Sequence, residues 1–538
     1  MRKLHRISVL AVLCLAAVRT RGEERAAPRA VPTFECVGLY WAPPAGAPDK
    51  VCQVSYRREG EGRWSEALPL WFDARDREYR GSIVKLRPGS KYEISLRLKS
   101  TDVTVPLRAE TWPDDFPIAK TIPLPANSDR TLTIAESGSP AGYVLYAPGA
   151  IDVAGNSDYC VVVKASHVIL RGLTLKNARI HGIYLAEGAH DVVIENCDIS
   201  GWGRVMEDGW GKDYDSAIYS RSARLTRVVV QRNRIHDPRS NSNSWRQSRP
   251  RPGKREPSHP EGPQAVCFWD SDGNHVIRYN TVWSDDAHQY NDVLGAGANF
   301  STRGFPNCDS DIYGNLLSHC CDDAVESEGA NRNVRIWGNY LTECYVGVAC
   351  ASTSIGPLYV WRNVNAVSRV APGDSAGGFL KTSDKMGGGR VYVFHNTILQ
   401  PPGTAKGRTI LGAGVGLGWG GPITNCTSRN NILHVTRQAI IDRAGDLLGD
   451  YDYDLIDAPR GAPDGQEKHA VRGTPVYVPG SGLHDGKGHF QLAPGTPGFD
   501  AGVPIPNFND HFNGSAPDVG AHEAGEPPME FGADAYRR

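Results

Sequence analysis

A chain of 538 residues exceeds a single ordinary compact domain, so several modules or a repeat array are expected. Its formal net charge of −1 gives no global pull toward nucleic acid or an anionic membrane surface. With 59 glycines, 4 methionines and few stretches of helical periodicity, the composition argues against a helical bundle and for a nearly all-β protein.

The N-terminus, "MRKLHRISVLAVLCLAAVRTRGEE", has a basic start and then an apolar run from Ile7 to Val18. That run is too short to span a bilayer and suits a secretory signal over residues 1–22, which predicts a secreted protein, extracellular or periplasmic, with no membrane insertion. Export permits disulfides, and Cys36 with Cys52, on neighbouring predicted strands, is the best-placed pair. Neither a CxxC pair nor an HExxH motif occurs, so no zinc site is expected.

Residues 32–113 carry short alternating strands, among them "VGLYWAPP", "VCQVSYRREG" and "YRGSIVKLRPGSKYEISLRL". The run Leu86, Pro88, Gly89, Tyr92, Leu96 resembles the tyrosine-corner segment of fibronectin type III domains, which implies a small β-sandwich with Trp41 in its core. Such modules bind, space or pack, so no chemistry is assigned to it. "TWPDDFP" reads as the linker.

From about residue 120 a motif of strand, Asn, any residue, apolar recurs: "VVVQRNRI", "HVIRYNTV", "DIYGNLL", "VRIWGNYL", "LYVWRNVN", "VYVFHNTI" and "TSRNNI". Its asparagines are Asn233, Asn280, Asn315, Asn339, Asn363, Asn396 and Asn430, and Leu173 and Cys197 hold the same place in two earlier copies. The shortest spacing, 24, recurs, and the others read as 24 plus an insertion. This is a solenoid signature. Asparagines stacked from coil to coil can satisfy one another inside a bend. The pattern resembles the right-handed parallel β-helix proteins of the pectate lyase-like superfamily over residues 120–450, which implies the fold and a carbohydrate ligand but no one reaction. The Asn-Thr-Asp plus Gly-His-Gly set of polygalacturonases and a pectate lyase signature are both missing. Residues 451–538 read as a C-terminal capping segment over the last open coil, with Asp500, Asp510, Asp518 and Glu523 forming turns or holding calcium.

A second strand aligns in the coils: "HGIYL", "SAIYS", "QAVCF", "NDVLG", "DAVES", "VGVAC" and "GGFLK", with apolar centres Ile183, Ile218, Val266, Val293, Val325, Val348 and Phe379. If these centres face inward, alternation turns Asp292, Leu294, Ala324 and Glu326 outward, places Asp322 and Asp323 at the strand entry, and turns Lys381 inward while the strand lasts. Asp215 holds the entry of an earlier coil. Coils stack about 4.8 Å apart, so Asp292 is one coil from Asp322, Asp323 and Glu326. Crowded carboxyls raise one another's pKa, which suits acid–base catalysis or a bound cation. Turn capping is the structural alternative.

The longest insertions lie beside these coils and contain Trp202, Trp210, Trp245, Trp269 and Trp283, aromatic faces on which sugars stack, with His288 beside Asp285 and Asp286. Trp337 and Trp361 align with Tyr313 and Phe394 and read as structural stacking. From Arg232 to Glu256 eight Lys/Arg face Asp237 and Glu256. This is either a solvated loop or an attractor for an anionic glycan through Arg246, Arg249 and Arg251.

Three functions fit. The first, which the sequence favours, is a secreted glycoside hydrolase using two carboxylates from Asp292, Asp322, Asp323 and Glu326. The second is a polysaccharide lyase or epimerase on uronates, with calcium on the acidic cluster and His288 or Lys381 as base. The third is a non-catalytic glycan-binding solenoid.

Overall fold

Val, Ile and Leu at alternate positions can be dry only if each strand's inner face meets another, and the chain achieves this by coiling. The computed structural model describes residues 27–537 apart from 100, 250–258, 375, 384, 401–402, 406–407, 411–413, 422, 443–448 and 483–486; the N-terminal signal stretch and Arg251 lie outside the described residues. From Ile118 onward the described strands form one parallel sheet of 12 strands, one of 21, and an antiparallel pair, Gly403–Ala405 with Arg408–Ile410. Ile194 stacks on Val230, and the column continues through Ile277, Ile312, Ile336, Val360 and Val393, all buried. Each such side chain contributes about 1.5–3 kcal/mol by leaving water. Among the described residues there is no helix, and none therefore long and apolar enough to cross a membrane.

The expected amide ladder is present and buried. Each Nδ2 donates to the next Oδ1 along Asn233, Asn280, Asn315, Asn339, Asn363 and Asn396, at 2.9–3.0 Å. The same oxygen accepts the preceding asparagine's backbone N–H, as where Asn363 Oδ1 takes that of Asn339 at 3.1 Å. The last rung is Asn431 rather than Asn430: Asn396 donates to Asn431 at 2.8 Å, and Asn431 donates to Asp454 at 2.9 Å. Asn430 faces the other way and holds the tail through Val503, whose carbonyl and N–H it meets at 2.8 Å. Adjacent asparagines made the register ambiguous, and the pairing of Thr397 with Ile432 decides it.

Residues 29–110 form a seven-stranded antiparallel sheet, ordered Arg29–Pro32, Val37–Trp41, Glu78–Ile83, Ser65–Asp73, Cys52–Arg58, Lys91–Leu98, Thr104–Glu110. Its own core includes Trp41, Val54, Tyr79, Ile94 and Leu96. It docks on the coils through buried polar contacts. Arg335 and Asp311, both fully buried, pair at 2.5 Å; Thr33 donates to that carboxylate and Ser82 accepts from the guanidinium at 3.3 Å. Tyr40 donates to Asp309 at 2.8 Å. Gly38 is required there, since a Cβ would lie 2.2 Å from Asp309 Oδ1. The column Tyr313, Trp337, Trp361 stacks at 4.2 and 5.3 Å beneath this junction, as a structural reading expects.

One expectation is corrected. The eleven described cysteines all carry free thiols. Cys52 lies in the N-terminal core while Cys36 turns to the cluster around Tyr359 and Trp361, so their side chains face different cores. The C-terminal segment packs on Ile432 and Leu455 of the last coils and also runs back along earlier ones. Ala521 N–H bonds Thr397, Ala533 N–H bonds Thr281, and Arg232 bonds the Ala535 carbonyl, at 2.8–2.9 Å. Asn507 meanwhile ties it to Tyr56 and to Val84. The tail carboxylates form turns: Asp510 accepts the Asn507 N–H at 2.9 Å, Asp518 that of Asp500 at 2.8 Å, and Glu523 that of Asn513 at 3.1 Å.

Asn339→Ala removes one rung and orphans both neighbours, so it should lower stability by about 1–3 kcal/mol in urea unfolding; a parent-like midpoint would show the ladder to be energetically idle. At the domain junction, burial pushes Glu35 up from 4.5 to about 7, against the Tyr313 hydrogen bond and the Arg278 charge. A carboxyl with a raised folded pKa gives stability that is present at low pH and lost as pH rises from about 4.5 to about 7. Glu35→Gln should therefore flatten the fall in melting temperature across that window; an unchanged slope would show that another group carries it.

Candidate active site

The site grows from three consecutive coils whose strands are Gln264–Phe268, Leu294–Gly295 and Leu316–Glu326, followed by Tyr340–Ala349 and Gly377–Lys381. Leu294, not Val293, is the inward centre, paired with Val266 and Val325. Leu380, not Phe379, pairs with Val348, which sets Lys381 in the column of Glu326 and Ala349. The expected inward turn of Lys381 and outward turn of Leu294 are thus both one residue out of register. Asp322 and Asp323 are not at a strand entry. They sit inside the long strand, where the register shifts between Cys320 and Asp323. A bulge re-aims side chains and is common beside active sites.

The bulge gathers the acids. Asp292, Asp323 and Glu326 each place an oxygen within 4.8 Å of the others. All three are buried, as are Asp322 and Glu328. Asp323 N–H donates to Asp292 Oδ1 at 3.0 Å, and Gln264 and Asn291 donate to Asp292 Oδ2 at 3.1 and 3.0 Å. Glu326 accepts from Ala296 N–H at 3.1 Å and from Asn299 at 2.6 Å. The Lys381 ammonium donates to Asp323 and lies 3.4 Å from Glu328 and 3.9 Å from Asp322. Asn291 also bridges to Asp213 at 3.2 Å. His259 Nε2 is 3.4 Å from Asp322.

Burial pushes Asp292, Asp323 and Glu326 well above the usual carboxyl range, and neighbouring carboxylates push further. Burial likewise raises Asp213 to about 6. Burial works against the Lys381 charge, but Asp322, Asp323, Glu328 and Glu326 outweigh it and hold its pKa well above the ordinary lysine value. Left to itself the group keeps protons that a cation would displace. Asp323 Oδ1, Gln264 Oε1 and Asn291 Oδ1 are buried without a hydrogen-bond partner among the described residues. An all-oxygen, net-negative nest with unused acceptors suits a hard divalent cation of the calcium class. A second group, His167, His190 and Asp191, is already compensated, because Arg227 takes both Asp191 oxygens at 2.6 and 2.5 Å.

The other expected residues divide. Trp245 meets His259 edge-on at 4.8 Å, and Trp269 meets Tyr214 at 4.8 Å, so both reach the cluster's rim. Trp202 is fully buried against Tyr290 and belongs to the core. Trp283 stacks on His236 at 4.4 Å, in the strand column Ser200, His236, Trp283, and Trp210 is half-buried in the 203–211 loop. His288 is half-exposed and pairs with Asp285 at 3.0 Å instead of joining the acids. Asp215 is clamped by Arg204 at 2.6 Å. Arg246 is exposed and pairs with Asp374 at 3.0 Å, but Arg249 is buried on Asp208 at 2.6 Å and on the Gly211 carbonyl at 2.9 Å, where it braces a loop and cannot steer a polyanion. Asp213, Glu328, His259, Tyr345 and Trp419 were missed. Glu328 lay two residues past Glu326 in view, whereas Trp419 is marked only by its pairing with Lys381.

Residues 159–359 match the family model described as a right handed beta helix region. No curated protein sequence matches the chain. Among solved structures, the chain is similar to pectate lyase Pel9A (12% identity, TM-score 0.41, 76% of this chain and 86% of that one). It is also similar to jun a 1, the major allergen from cedar pollen (11%, 0.26, 70% and 84%). A third is pectate lyase PelI from Erwinia chrysanthemi, solved in complex with tetragalacturonic acid (10%, 0.15, 66% and 84%). The chain is a right-handed parallel β-helix with an N-terminal antiparallel module.

Gly295 leaves room for the acid opposite: a Cβ there would lie 2.5 Å from Glu326 Oε2 and 3.0 Å from Glu326 Cβ. Gly295→Ala should displace that carboxylate and weaken calcium binding about tenfold by titration calorimetry. Unchanged affinity would remove Glu326 from the cation site.

Proposed function

We propose that the chain is a secreted polysaccharide lyase that cleaves a uronate-containing glycan by β-elimination. The observation that carries this reading is the Lys381 ammonium set into a buried ring of carboxylates too numerous for it to neutralise. A hydrolase places its two carboxyls across the scissile bond, about 5–9 Å apart, with the sugar between them. Asp292 and Asp323 instead lie side by side, the Asp323 N–H donating to the Asp292 carboxylate at 3.0 Å.

Asp292, Asp323 and Glu326 would hold the cation, with Gln264 and Asn291 at hand. Bound there, it would neutralise a uronate carboxylate, acidify the C5 proton, and offset the negative charge that keeps Lys381 protonated. Lys381, once neutral, is the group placed to take that proton, while the C5 electron pair forms the C4=C5 bond, the C4–O bond breaks and the departing oxygen takes a proton from water. Tyr345, half-buried and pushed up to about 12, stands near Asp322 and Lys381 and meets Trp419 edge-on at 5.7 Å, so the two rings wall the reacting sugar from water on one side. Trp245 and His259 meet edge-on beside Asp322. The His288 base is set aside, since it does not reach the cluster.

Export rests on the basic and apolar N-terminus. A fibronectin type III-like identity for the N-terminal module is supported by the Tyr92 hydroxyl accepting the Arg87 N–H at 2.8 Å and by buried Trp41. The expected division is 32–113 for that module, 120–450 for the helix and 451–538 for the tail.

On a panel of polygalacturonate, alginate and hyaluronan, at least one should yield new ends absorbing in the near ultraviolet. Chelation should abolish this and calcium restore it. Lys381→Ala should lower kcat about 100- to 10,000-fold while calcium binding persists. Reducing ends without ultraviolet absorbance would make the protein a hydrolase. Full activity of the Lys381 variant would remove the assigned base.

A further inference from the structure

The column that carries Glu326 and Lys381 continues away from the cluster. Through successive coils it runs Val162, Tyr184, Tyr219, Cys267 and Gly295, and then Glu326, Ala349, Lys381 and Trp419. A parallel column three residues earlier carries Tyr159, paired with His181, and Ser216, paired with Gln264. Four rings of these columns stack on one another. Tyr159 lies 5.8 Å from His181 at 4°, His181 lies 4.0 Å from Tyr219 at 5°, and Tyr184 lies 5.1 Å from Tyr159 and 6.1 Å from Tyr219.

The protein's other aromatic column, Tyr313, Trp337 and Trp361, is roofed by the N-terminal module and by Phe508 of the tail. This one is not: Tyr159, Tyr184 and Tyr219 stay half-exposed. The Tyr184 and Tyr219 hydroxyls make no hydrogen bond among the described residues. His181 Nδ1 accepts the Ser216 N–H at 3.0 Å, which leaves its proton on Nε2. The row thus offers ring edges, hydroxyls and one N–H donor. Between it and the cluster, Arg221 lies over Trp269 at 4.9 Å, is exposed, and has no carboxylate partner among the described residues. Coils advance by about 4.8 Å, a step comparable to one sugar of an extended chain, so the row begins about three coils from Glu326.

We propose that Tyr159, His181, Tyr184 and Tyr219, with Arg221, form distal subsites for an extended anionic glycan lying along the helix axis. The proposal rests on the lyase reading for the direction of the chain and for its uronates, not for the contacts themselves. The rings supply a rigid edge for pyranose hydroxyls, and Arg221 supplies a cation for a carboxylate set apart from the one at the cluster. The protein then grips a long chain well beyond the cleaved bond.

The test is affinity electrophoresis in gels containing polygalacturonate or alginate, beside ultraviolet assay of the same preparations. The Tyr184→Ala/Tyr219→Ala protein should bind about tenfold more weakly than the parent, with a penalty that grows with oligomer length. Arg221→Ala, an exposed change that spares the stack, should weaken binding in the same direction and reduce its salt dependence. If the double variant does not fold, Tyr219→Phe, which keeps the stack and removes one hydroxyl, takes its place. Folded variants retarded like the parent, or a parent retarded by neither polymer, would overturn the subsites. If retardation depends on the tyrosines but no unsaturated ends form, the subsites stand and elimination fails. If ends form and the variants bind alike, elimination stands and the subsites fail.

Discussion

Register between coils is the constraint on which everything else rests. A parallel strand can slip by one residue at little loss in backbone hydrogen bonds, yet such a slip turns every side chain to the opposite face. The buried amides oppose this, because each Oδ1 must meet both the Nδ2 and the backbone N–H of the preceding rung. With the ladder held, residues as distant in sequence as Gln264, Glu326 and Lys381 fall on one face. Insertions between rungs do not disturb this alignment, so the chain can build walls from them without moving the floor.

The acidic cluster is the place where the fold works against itself. Burying Asp292, Asp322, Asp323, Glu326 and Glu328 together opposes stability unless charge is cancelled. Lys381 cancels part, and the N–H groups of Asp323 and Ala296 with the Gln264, Asn291 and Asn299 amides stabilise the rest. The remaining imbalance is the ground on which a cation is proposed there. Rigid coils on either side prevent the carboxylates from swinging apart.

The N-terminal module and the tail make opposite use of polarity. Their contacts with the coils are buried but paired, as in Thr33 with Asp311, Tyr40 with Asp309 and the Ala521 N–H with Thr397, so they behave as fixed buttresses. Asn507 joins the two to each other through Tyr56 and Val84. Between them they cover the Tyr313–Trp337–Trp361 side of the coils and leave the face of Glu326 and Lys381 open.

The sequence by itself determined the solenoid, because period and asparagine spacing are local facts repeated along the chain. It also marked Asp292, Asp322, Asp323 and Glu326, since like charges crowded beside a strand repel one another. It could not show which of Asn430 and Asn431 is the rung, nor that Lys381 shares the column of Glu326, because each depends on a one-residue register that identical or apolar neighbours leave open. Nor could it separate Trp245 and Trp269, at the rim, from Trp202, in the core, or Arg246 from buried Arg249. Those residues lie in insertions, whose course is set by what they pack against and not by their own periodicity. Tertiary structure alone decided the centre itself: a bulge at Asp322 that turns a row of acids into a cluster around one lysine.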